Sequence, residues 1–480
     1  MSQLKFRHER SHTKVIATLG PASSSRQVLE KLFEEGIDVC RLNFSHGSHD
    51  DHLKTINLIK KINAENEATV AILADLQGPK LRIGDMENNG VELKDGSSFS
   101  FVNEPCVGDA RKAYMSYSQL PADVKIGENI MVDDGKILLE VTGTNGRDEV
   151  KMKVISGGIL SSKKGVNLPD TEISLPSLTE KDIADAHFAL SQEIDWIALS
   201  FVRSVTDLLE LKELIKHSKL PTARIVAKIE KPEALKEIGP IIDMADAVMV
   251  ARGDLGVEVP FDQVPLIQKE LVAKCIAKSK PVIIATQMME SMITNFRPTR
   301  AEANDVGNAV LDGADALMLS GETSVGKYPA QVVRSMQQII DATEKGYDYF
   351  RSNPPREFSR TYLSDSICFS ACKMAEQTDA RAIIVFTHSG YTAYRIASHR
   401  PKANIFAFTD NKRIINKLSL VWGVRTYLSE TFSSIDEAVN QSIERLLKMN
   451  LIQEEDVVIH VGSTPVPERG RTNMIKLSYV

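Results

Sequence analysis

The sequence has little of what marks several classes of protein. Its five cysteines are too few and too scattered for a disulfide scaffold in a chain of 480 residues. The net charge of −6 at pH 7 gives no support to binding of nucleic acid or of an anionic membrane surface. No apolar run reaches the roughly 18 residues that cross a bilayer, and the basic N-terminus lacks the apolar segment of a secretory signal. We therefore expect a cytoplasmic protein with no nucleic-acid or membrane partner.

What the chain does contain is an ordinary globular composition, with 42% apolar and 25% charged residues. At roughly 150 residues per domain, its length predicts about three domains. Eight short apolar runs recur along the chain, with amphipathic segments between them. The runs are VIATLG (15–20), DVCRLNF (38–44), VAILADL (70–76), WIALSFV (196–202), RIVAKIE (224–230), AVMVARG (247–253), PVIIATQ (281–287) and ALMLSGE (316–322).

Runs that are apolar at nearly every position are typical of parallel strands covered on both faces. Eight such strands alternating with helices predict a TIM barrel, the (β/α)8 form of α/β protein. We assign residues 13–78 and 177–345 to this barrel and residues 1–12 to an N-terminal tail. Four further runs alternate with helical segments in residues 346–480, which predicts an open C-terminal α/β domain.

The helical period disappears between the third and fourth runs, in residues 79–176. Asn-Gly and Asp-Gly pairs there separate alternating stretches such as VKMKV (150–154). These features predict a small antiparallel β-barrel domain inserted into a loop of the larger barrel. Because the insertion follows the C-terminal end of the third strand, the end where barrel active sites form, it is placed to act as a lid.

Polar side chains gather at the C-terminal ends of the predicted barrel strands. In this fold that position indicates chemistry rather than packing. Side chains two residues apart share a strand face, so neighbours in this set can point together into the mouth of the barrel. The set is Arg41, Asn43 and Ser45 on the second run, Asp75 and nearby Arg82 on the third, Lys228 and Glu230 on the fifth, Asp254 after the sixth and Thr286 on the seventh.

These residue types suit a phosphate bound through a metal ion. Mg²⁺ takes one or two carboxylates and leaves its other positions to water and phosphate, so Glu230 and Asp254 are its candidate ligands. Lys228, with Arg41 and Arg82, then offers positive charge to a phosphoryl group or a developing oxyanion. Gly253 lets the backbone approach a ligand closely.

A purely structural interpretation is also open for each pair alone. Lys228 with Glu230, and Arg252 with Asp254, could be ion pairs that plug the barrel, since buried pairs are often structural. The polarisation of five strand ends on one face favours a ligand site for the set as a whole.

The motifs at these positions resemble those of the pyruvate kinase family over essentially the whole chain. The resemblance implies transfer of a phosphoryl group from phosphoenolpyruvate to ADP, which gives pyruvate and ATP in the last step of glycolysis. It also implies Mg²⁺ as cofactor, for which Mn²⁺ can substitute. The matching segments are ATLGPAS (17–23), RLNFSHG (41–47), DLQGPKLR (75–82), SKKGVNLP (162–169), AKIEKPEAL (227–235), MVARGDLGVE (249–258), ATQMMESM (285–292) and PTRAEANDVGNAVLDGADALMLSGET (298–323).

The resemblance implies a role for each of these residues. Glu230 and Asp254 hold Mg²⁺, while Lys228 and Arg41 meet the transferring phosphoryl group. The backbone at Gly253 and Asp254 receives the substrate carboxylate. Thr286 lies near the carbon that is protonated. The nucleotide-binding positions are Asn43, Ser45, His46, Arg82 and Lys164.

The segment DLQGPKLRI (75–83) departs from many relatives, which bind K⁺ near the positions of Asn43, Ser45 and Asp75. Those relatives carry a glutamate where this chain has Lys80. The segment is similar instead to a bacterial, K⁺-independent branch, and an ammonium group can supply the charge that K⁺ would bring. A solvated surface lysine is the alternative for Lys80.

The C-terminal domain resembles the family's effector domain. A polar loop follows an apolar strand and precedes a helix there, which suits a phosphate at a helix N-terminus. We expect a phosphorylated small-molecule activator, with a loop that binds nothing as the alternative. The family also implies a homotetramer. The candidate effector residues are Thr387, Ser389, Gly390, Thr392, Arg469 and Arg471.

Two other functions fit part of the pattern. A metal-dependent TIM-barrel lyase or aldolase acting on a 2-oxo acid enolate needs the same carboxylates and Lys228. Such an enzyme has no use for a nucleotide-binding lid that carries Lys164, so pyruvate formation that depends on ADP would separate the two. A catalytically inactive regulator is disfavoured because Lys228, Glu230, Asp254 and Thr286 are all present.

Overall fold

The folded chain opens with three strands and two helices of the barrel. The computed structural model describes residues 4, 11–346, 354, 359–465, 468 and 470–480. The first helix begins after its N-cap Ser25 and ends at Gly36, whose φ of 96° is in the left-handed region that glycine adopts without strain. The elements are β1 (Lys14–Leu19), α1 (Arg26–Glu35), β2 (Val39–Asn43), α2 (His49–Asn66) and β3 (Ala71–Asp75).

The insertion follows β3 and is built almost wholly of strands. In β9 Val150, Met152 and Val154 are buried while Lys151 and Lys153 are exposed, which is the alternation that the sequence predicts. Its elements are β4 (Gly90–Leu93), β5 (Ser98–Val102), β6 (Lys112–Tyr114), α3 (Leu120–Asp123), β7 (Asn129–Val132), β8 (Ile137–Thr144), β9 (Glu149–Ser156), β10 (Gly158–Ser161) and β11 (Val166–Asn167).

Two sheets of the insertion share one hydrophobic core. The larger has the order β11-β7-β8-β9-β5-β6, and the smaller pairs β10 with β4. All of these pairs are antiparallel except β5 with β6, which run parallel. The long connection between β5 and β6 permits this direction.

The chain then returns to the barrel and completes it with five strands and their helices. Short 3₁₀ helices in the described residues span Glu87–Asn89 in the insertion, Glu290–Ile293 in the barrel and Asn416–Leu420 in the C-terminal part. The elements of this part are α4 (Glu180–Ser191), β12 (Trp196–Leu199), α5 (Val205–Lys216), β13 (Arg224–Ile229), α6 (Pro232–Lys236), α7 (Ile238–Met244), β14 (Ala247–Ala251), α8 (Arg252–Glu258), α9 (Val264–Ala277), β15 (Val282–Ala285), α10 (Arg300–Asp312), β16 (Ala316–Leu319), α11 (Gly321–Ser324) and α12 (Pro329–Lys345).

The eight predicted strands close into a barrel of order β1-β16-β15-β14-β13-β12-β3-β2, and each neighbouring pair is parallel. One apolar cluster fills the barrel interior and a larger one lies between the strands and the helices. Burial on both faces explains why the runs are apolar at nearly every position. The TIM-barrel prediction is confirmed.

The C-terminal part forms a five-stranded sheet of order β19-β18-β17-β20-β21. The predicted strands are parallel, and the last strand adds an antiparallel edge that the sequence analysis did not assign. No helix in the described part of the chain has both the length and the apolarity needed to cross a membrane. The elements are α13 (Tyr362–Gln377), β17 (Ala382–Phe386), α14 (Tyr391–Ser398), β18 (Asn404–Thr409), β19 (Val424–Leu428), α15 (Ile435–Lys448), β20 (Val457–Gly462) and β21 (Met474–Tyr479).

Aspartates recur at the N-terminal end of the barrel. Asp38, Asp195, Asp246 and Asp315 each stand directly before a strand. Each carboxylate accepts a backbone N–H from the neighbouring strand, which satisfies a donor that would otherwise be buried without a partner. The C-terminal domain meets this ring, since Arg400 donates to Asp315 at 2.9 Å. The four donors are Val15, Ile72, Ile225 and Val282.

The role of the aspartates at the N-terminal end of the barrel can be tested at Asp195. Burial raises its pKa to about 6, although the Ile72 N–H and nearby Lys417 oppose the rise. The folded state therefore keeps a proton that the unfolded state loses, and stability falls as pH rises through the window from about 4 to 6. We expect Asp195→Asn to remove this fall and to stabilise the protein by roughly 1–3 kcal/mol at pH 8. Urea denaturation between pH 4 and 8 measures it.

Asp315→Asn is the matched control for this experiment. It leaves the guanidinium of Arg400, which is 1% exposed, without its carboxylate partner, so we expect a loss of stability. A less stable Asp195→Asn protein at pH 8 would contradict the prediction.

Candidate active site

Lys228 lies at the centre of a buried cluster of charges at the mouth of the barrel. Its ammonium is 2.9 Å from Glu230 Oε1 and 3.2 Å from Asp75 Oδ1, and it donates to Ser200 Oγ at 2.6 Å. Burial alone would lower the pKa of Lys228, but the two carboxylates outweigh burial and raise the pKa above its ordinary value. The amine therefore carries its charge at neutral pH.

Arg41 brings a second cation to the same carboxylate. Its Nε donates to Asp75 Oδ2 at 2.7 Å, its Nη2 is 2.6 Å from that oxygen, and its Nη1 donates to Thr18 Oγ1 at 2.9 Å. Burial would raise the pKa of Asp75, but Lys228 and Arg41 hold it below its ordinary value. Asp75 is thus an ionised group shared by cations from β2 and β13.

Glu230 and Asp254 form the predicted acidic pair. Glu230 is 1% exposed, and its Oε2 accepts the Phe201 N–H at 2.7 Å. Burial raises the pKa of Glu230 above its ordinary value, Lys228 opposes this rise, and the charge of Asp254 adds to it. The negative charge of Asp254 thus disfavours ionisation of Glu230. This repulsion is what a cation between them would relieve.

The acidic pair fits a hard divalent cation such as Mg²⁺. Within the described residues, no three His, Cys, Asp or Glu side chains come together as a metal site. Two protein carboxylates are enough for Mg²⁺, which keeps several waters and binds substrate phosphate at its remaining positions. The donor set is thus compatible with the ion that the sequence predicts.

The sixth strand stops earlier than the sequence predicts. The run AVMVARG suggests a strand to Gly253, whereas β14 ends at Ala251 and α8 begins at Arg252. Gly253 and Asp254 therefore lie in the first turn of a helix. The Gly253 N–H donates to Thr286 Oγ1 at 2.6 Å, and a Cβ at Gly253 would lie only 3.3 Å from that oxygen. Glycine permits this close approach.

Thr286 follows β15 in an unusual backbone conformation. Its φ is 67°, a left-handed value that costs a β-branched residue about 1–2 kcal/mol. Its Oγ1 donates to the Ala285 carbonyl at 2.6 Å while accepting the Gly253 N–H. The hydroxyl is thus held at the mouth, beside the first turn of α8.

Of the two ion pairs that the plug interpretation requires, the structure contains one. Lys228 and Glu230 do form an ion pair. Arg252 pairs with Asp305 at 2.7 Å rather than with Asp254, which leaves Asp254 directed to the cleft between barrel and insertion.

The loop after β2 brings together three of the predicted nucleotide-binding residues. Asn43 Oδ1 accepts the Ser45 N–H at 3.1 Å, and the His46 carbonyl lies 3.0 Å from His52 Nε2. The Phe44 N–H donates to the Asp75 carbonyl at 2.9 Å, which ties this loop to the end of β3. These residues therefore border the charged cluster.

The other two predicted nucleotide-binding residues lie on the insertion. Arg82 Nη1 donates to the Lys163 carbonyl at 3.0 Å, and Lys164 forms an ion pair with Asp133 at 2.8 Å. Within the described chain, neither side chain bonds to the barrel. The structure thus places them close together on the insertion, where Arg82 pairs with Gly165, the residue after Lys164.

A narrow cleft of about 30 Å³ separates the insertion from α8. Glu258 spans it, because its Oε1 accepts Asn167 Nδ2 at 2.9 Å from the insertion and Lys231 Nζ at 2.7 Å from the barrel. Lys80 is exposed and lines the same cleft as Asp254. Among the residues described, no hydrogen bond or ion pair joins the Lys80 side chain to Asn43, Ser45 or Asp75.

The predicted effector residues converge on a separate cavity of about 520 Å³ in the C-terminal domain. Thr387, Ser389, Thr392 and Arg471 all line it. The loop between them is ordered by the Gly390 N–H, which donates to Thr387 Oγ1 at 3.0 Å. Arg469 lies outside the described residues.

Sequence reasoning missed three residues that support the mouth. Ser200 accepts a hydrogen bond from Lys228, and Phe201 donates its backbone N–H to Glu230. Arg252 forms an ion pair with Asp305. The polar Ser200 at the end of an apolar run could have been noticed. The left-handed φ of Phe201, 54°, has no counterpart in the residue pattern.

Comparison with known proteins gives matches along nearly the whole chain. The family model for the pyruvate kinase barrel domain matches residues 10–333, and the model for the pyruvate kinase alpha/beta domain matches residues 365–478. Proteins named pyruvate kinase are similar in sequence. The one from Geobacillus stearothermophilus is 43% identical over 98% of this chain and 80% of its own length. The one from Clostridium acetobutylicum is 40% identical over 98% of this chain and 99% of its own.

A solved structure gives the same result. The crystal structure of a pyruvate kinase from Cryptosporidium parvum superposes with a TM-score of 0.91 at 33% identity, and it covers 98% of this chain and 96% of its own. The likeness extends over barrel, insertion and C-terminal domain together.

Proposed function

This chain belongs to the pyruvate kinase family and is a phosphotransferase of that family, and we propose that it transfers the phosphoryl group of phosphoenolpyruvate to ADP with Mg²⁺ as cofactor. The observation that carries this function is the ammonium of Lys228, held 2.9 Å from Glu230 and 3.2 Å from Asp75. Fixed positive charge beside a divalent-cation site is what phosphoryl transfer requires, because the reaction mainly needs charge placed around a metaphosphate-like group.

We assign the metal to Glu230 and Asp254. Burial of Glu230 and the repulsion between the two carboxylates support this assignment. When bound, the ion supplies positive charge to the phosphoryl oxygens. Mn²⁺ takes the same oxygen ligands and can replace it.

Lys228 and Arg41 provide the remaining positive charge. As the bond between phosphorus and the enol oxygen breaks and the bond to ADP forms, negative charge stays on the enolate oxygen. Lys228 stabilises that oxygen, and Arg41 contacts the phosphoryl group. Asp75 fixes both cations before substrate arrives, so little reorganisation is needed during the reaction.

Gly253, Asp254 and Thr286 act on the other end of the substrate. The backbone at Gly253 and Asp254 receives the carboxylate in the first turn of α8. The enolate then takes a proton at its methylene carbon as its C=O bond re-forms, which gives pyruvate. We assign the Thr286 hydroxyl to the relay that passes this proton, with solvent restoring it.

The nucleotide is assigned to both sides of the cleft. Asn43, Ser45 and His46 contact it from the barrel, and Arg82 and Lys164 from the insertion. We propose that residues 79–176 act as a lid on a catalytic barrel of residues 13–78 and 177–345. Closure would bring Lys164 to the phosphates and exclude water.

A turnover assay tests this function directly. With Mg²⁺, phosphoenolpyruvate and ADP we expect pyruvate and ATP in equal amounts. Lys228→Met and Glu230→Gln should each lower kcat at least about 100-fold, the cost of removing a preorganised group that stabilises transition-state charge. Circular dichroism checks that the variants fold.

Lys278→Met is the control, since Lys278 pairs with Asp243 on the outside of the barrel at 2.7 Å. Pyruvate formation without ADP would indicate a lyase instead. Full turnover in Lys228→Met or Glu230→Gln would refute the site assignment.

We further propose that Lys80 makes activity independent of K⁺. Lys80 and Asp254 line one cleft, so the ammonium adds positive charge to the cleft that Asp254 faces. In relatives with glutamate at this position, K⁺ near Asn43, Ser45 and Asp75 would provide the missing charge.

Exchange of Lys80 for glutamate tests the role of the ammonium. We expect full activity of the unmodified enzyme in K⁺-free buffer, and at least a 10-fold loss in Lys80→Glu that added K⁺ restores. Lys94→Glu, an exposed position on the insertion, controls for charge change alone. An unmodified enzyme that is inactive until K⁺ is added would disprove the idea.

The C-terminal cavity is proposed to bind a phosphorylated small-molecule activator. Its size of about 520 Å³ and its hydroxyl and guanidinium groups suit a sugar phosphate or a nucleotide. We also propose a homotetramer, through which effector and substrate binding are coupled.

Binding at this cavity depends on the positive charge of Arg471. We expect a phosphorylated sugar or AMP to lower the phosphoenolpyruvate concentration at half saturation by about 5- to 100-fold. Arg471→Gln should abolish this shift and leave activity without effector unchanged. Arg381→Gln, exposed at the opposite end of β17, is the control. Activation that persists in Arg471→Gln would place the activator elsewhere.

A further inference from the structure

Arg252 makes side-chain contacts that the proposed reaction does not use. Its Nη1 and Nη2 donate to the two carboxylate oxygens of Asp305, each at 2.7 Å. The same Nη2 donates to the Thr286 carbonyl at 2.9 Å and lies 2.8 Å from Met288 Sδ. The Arg252 side chain is 13% exposed, so the guanidinium is held on several sides at once.

The carbonyl that accepts from Arg252 belongs to Thr286, whose backbone conformation is strained. Thr286 and the following Gln287 have φ values of 67° and 54°. Two consecutive left-handed residues persist only where their surroundings fix them. Within the described residues, the Thr286 carbonyl has Arg252 as its hydrogen-bonding partner. Removing this donor removes the hydrogen bond that holds this carbonyl in its left-handed arrangement.

Arg252 is also connected to Thr286 through the backbone of α8. Gly253, the next residue, donates its N–H to Thr286 Oγ1 at 2.6 Å. The Arg252 side chain therefore holds the Thr286 backbone while the Arg252–Gly253 peptide holds the Thr286 hydroxyl. One residue fixes the threonine from two directions.

We propose that Arg252 is a positioning residue for the Thr286 hydroxyl. This inference rests on the proposed role of Thr286 in protonating the enolate. A planar guanidinium can grip a carboxylate with two donors and still reach a carbonyl, which a lysine ammonium on a flexible stem does not reproduce. Arg252 contacts no substrate in this scheme and acts only through Thr286.

The experiment compares Arg252→Lys with Arg334→Lys. Arg334 forms a similar fork with Glu35 on the outside of the barrel, so its replacement matches the chemistry without touching the mouth. The first readout is the methyl NMR resonance of Thr286, identified by its absence in Thr286→Val. The second is the rate at which pyruvate methyl protons exchange with deuterated water in the presence of Mg²⁺ and ATP, relative to the rate of phosphoryl transfer.

We expect Arg252→Lys to move the Thr286 resonance and to slow methyl exchange about 10- to 100-fold more than phosphoryl transfer, since a small misplacement of a reacting group costs that much. Arg334→Lys should change neither readout. If Arg252→Lys does not fold, Asp305→Asn, which keeps the shape of the anchor and removes its charge, should give a smaller change in the same direction. An unmoved Thr286 resonance, or two rates that fall in parallel, would overturn the inference.

Failure of the proposed function would look different. In that case the unmodified protein would form no pyruvate from phosphoenolpyruvate and ADP, while the Thr286 resonance would still respond to Arg252→Lys. The resonance therefore tests the positioning role independently of turnover.

Discussion

The site depends on the balance of charges around the buried ammonium of Lys228. Two carboxylates and a hydroxyl surround it, and Arg41 completes the set from β2 through its bond to Asp75. A buried charge without partners is costly, but a closed set of opposite charges with good geometry offsets that cost. Asp254 adds a third carboxylate to a set with two cations, and its charge raises the pKa of Glu230 further. A cation that binds beside these carboxylates offsets this unfavourable interaction, which favours its binding.

The backbone around the site is strained at two residues that orient a hydrogen-bonding group toward the mouth. Phe201 and Thr286 have left-handed φ values, and both follow barrel strands at the mouth. Phe201 thereby turns its N–H to Glu230, and Thr286 brings its hydroxyl to Gly253. Each strained residue is anchored by partners from a neighbouring strand or helix. The stability lost locally is thus offset by the barrel around it.

The sequence predicts the strand ends well because parallel strands impose a simple geometry. Residues at the ends of different runs meet at one rim, so Arg41, Asp75, Lys228 and Glu230 could be placed together without coordinates. The partner of Arg252 could not be placed in the same way. Asp305 is 53 residues away in α10, and the motif put Asp254 much nearer along the chain.

Other features could not be predicted from the sequence, and the reasons are again physical. The run AVMVARG continues to Gly253, whereas α8 already begins at Arg252, and the residue pattern carries no signal at Arg252 that separates the end of a strand from the first turn of a helix. The edge strand β21 was missed since antiparallel addition follows a long loop rather than a helix. Lys80 could be linked to a cation site only by resemblance, and the structure has it exposed in the cleft with Asp254.

The barrel uses carboxylates differently at its two ends, and this difference bears on how the C-terminal domain could influence the mouth. At the base, four aspartates each bind a backbone N–H group of a neighbouring strand. At the mouth, Asp75 and Glu230 bind the side-chain cations Lys228 and Arg41, which can exchange partners. The strand β13 joins both ends, because Arg224 at its start donates to the Ser389 carbonyl at 3.3 Å and Lys228 lies four residues further on.

Ser389 belongs to the loop that lines the C-terminal cavity, so one hydrogen bond to Arg224 and the backbone of β13 connect that cavity to the charged cluster. A rigid strand by itself transmits nothing, since coupling needs an element with two arrangements whose populations both sites bias. The exchangeable contacts in this connection are those of Arg224, whose guanidinium also lies 4.8 Å from the Tyr394 ring. Any coupling along this route must therefore arise where the C-terminal loop grips Arg224, with β13 serving only as the rigid link to Lys228.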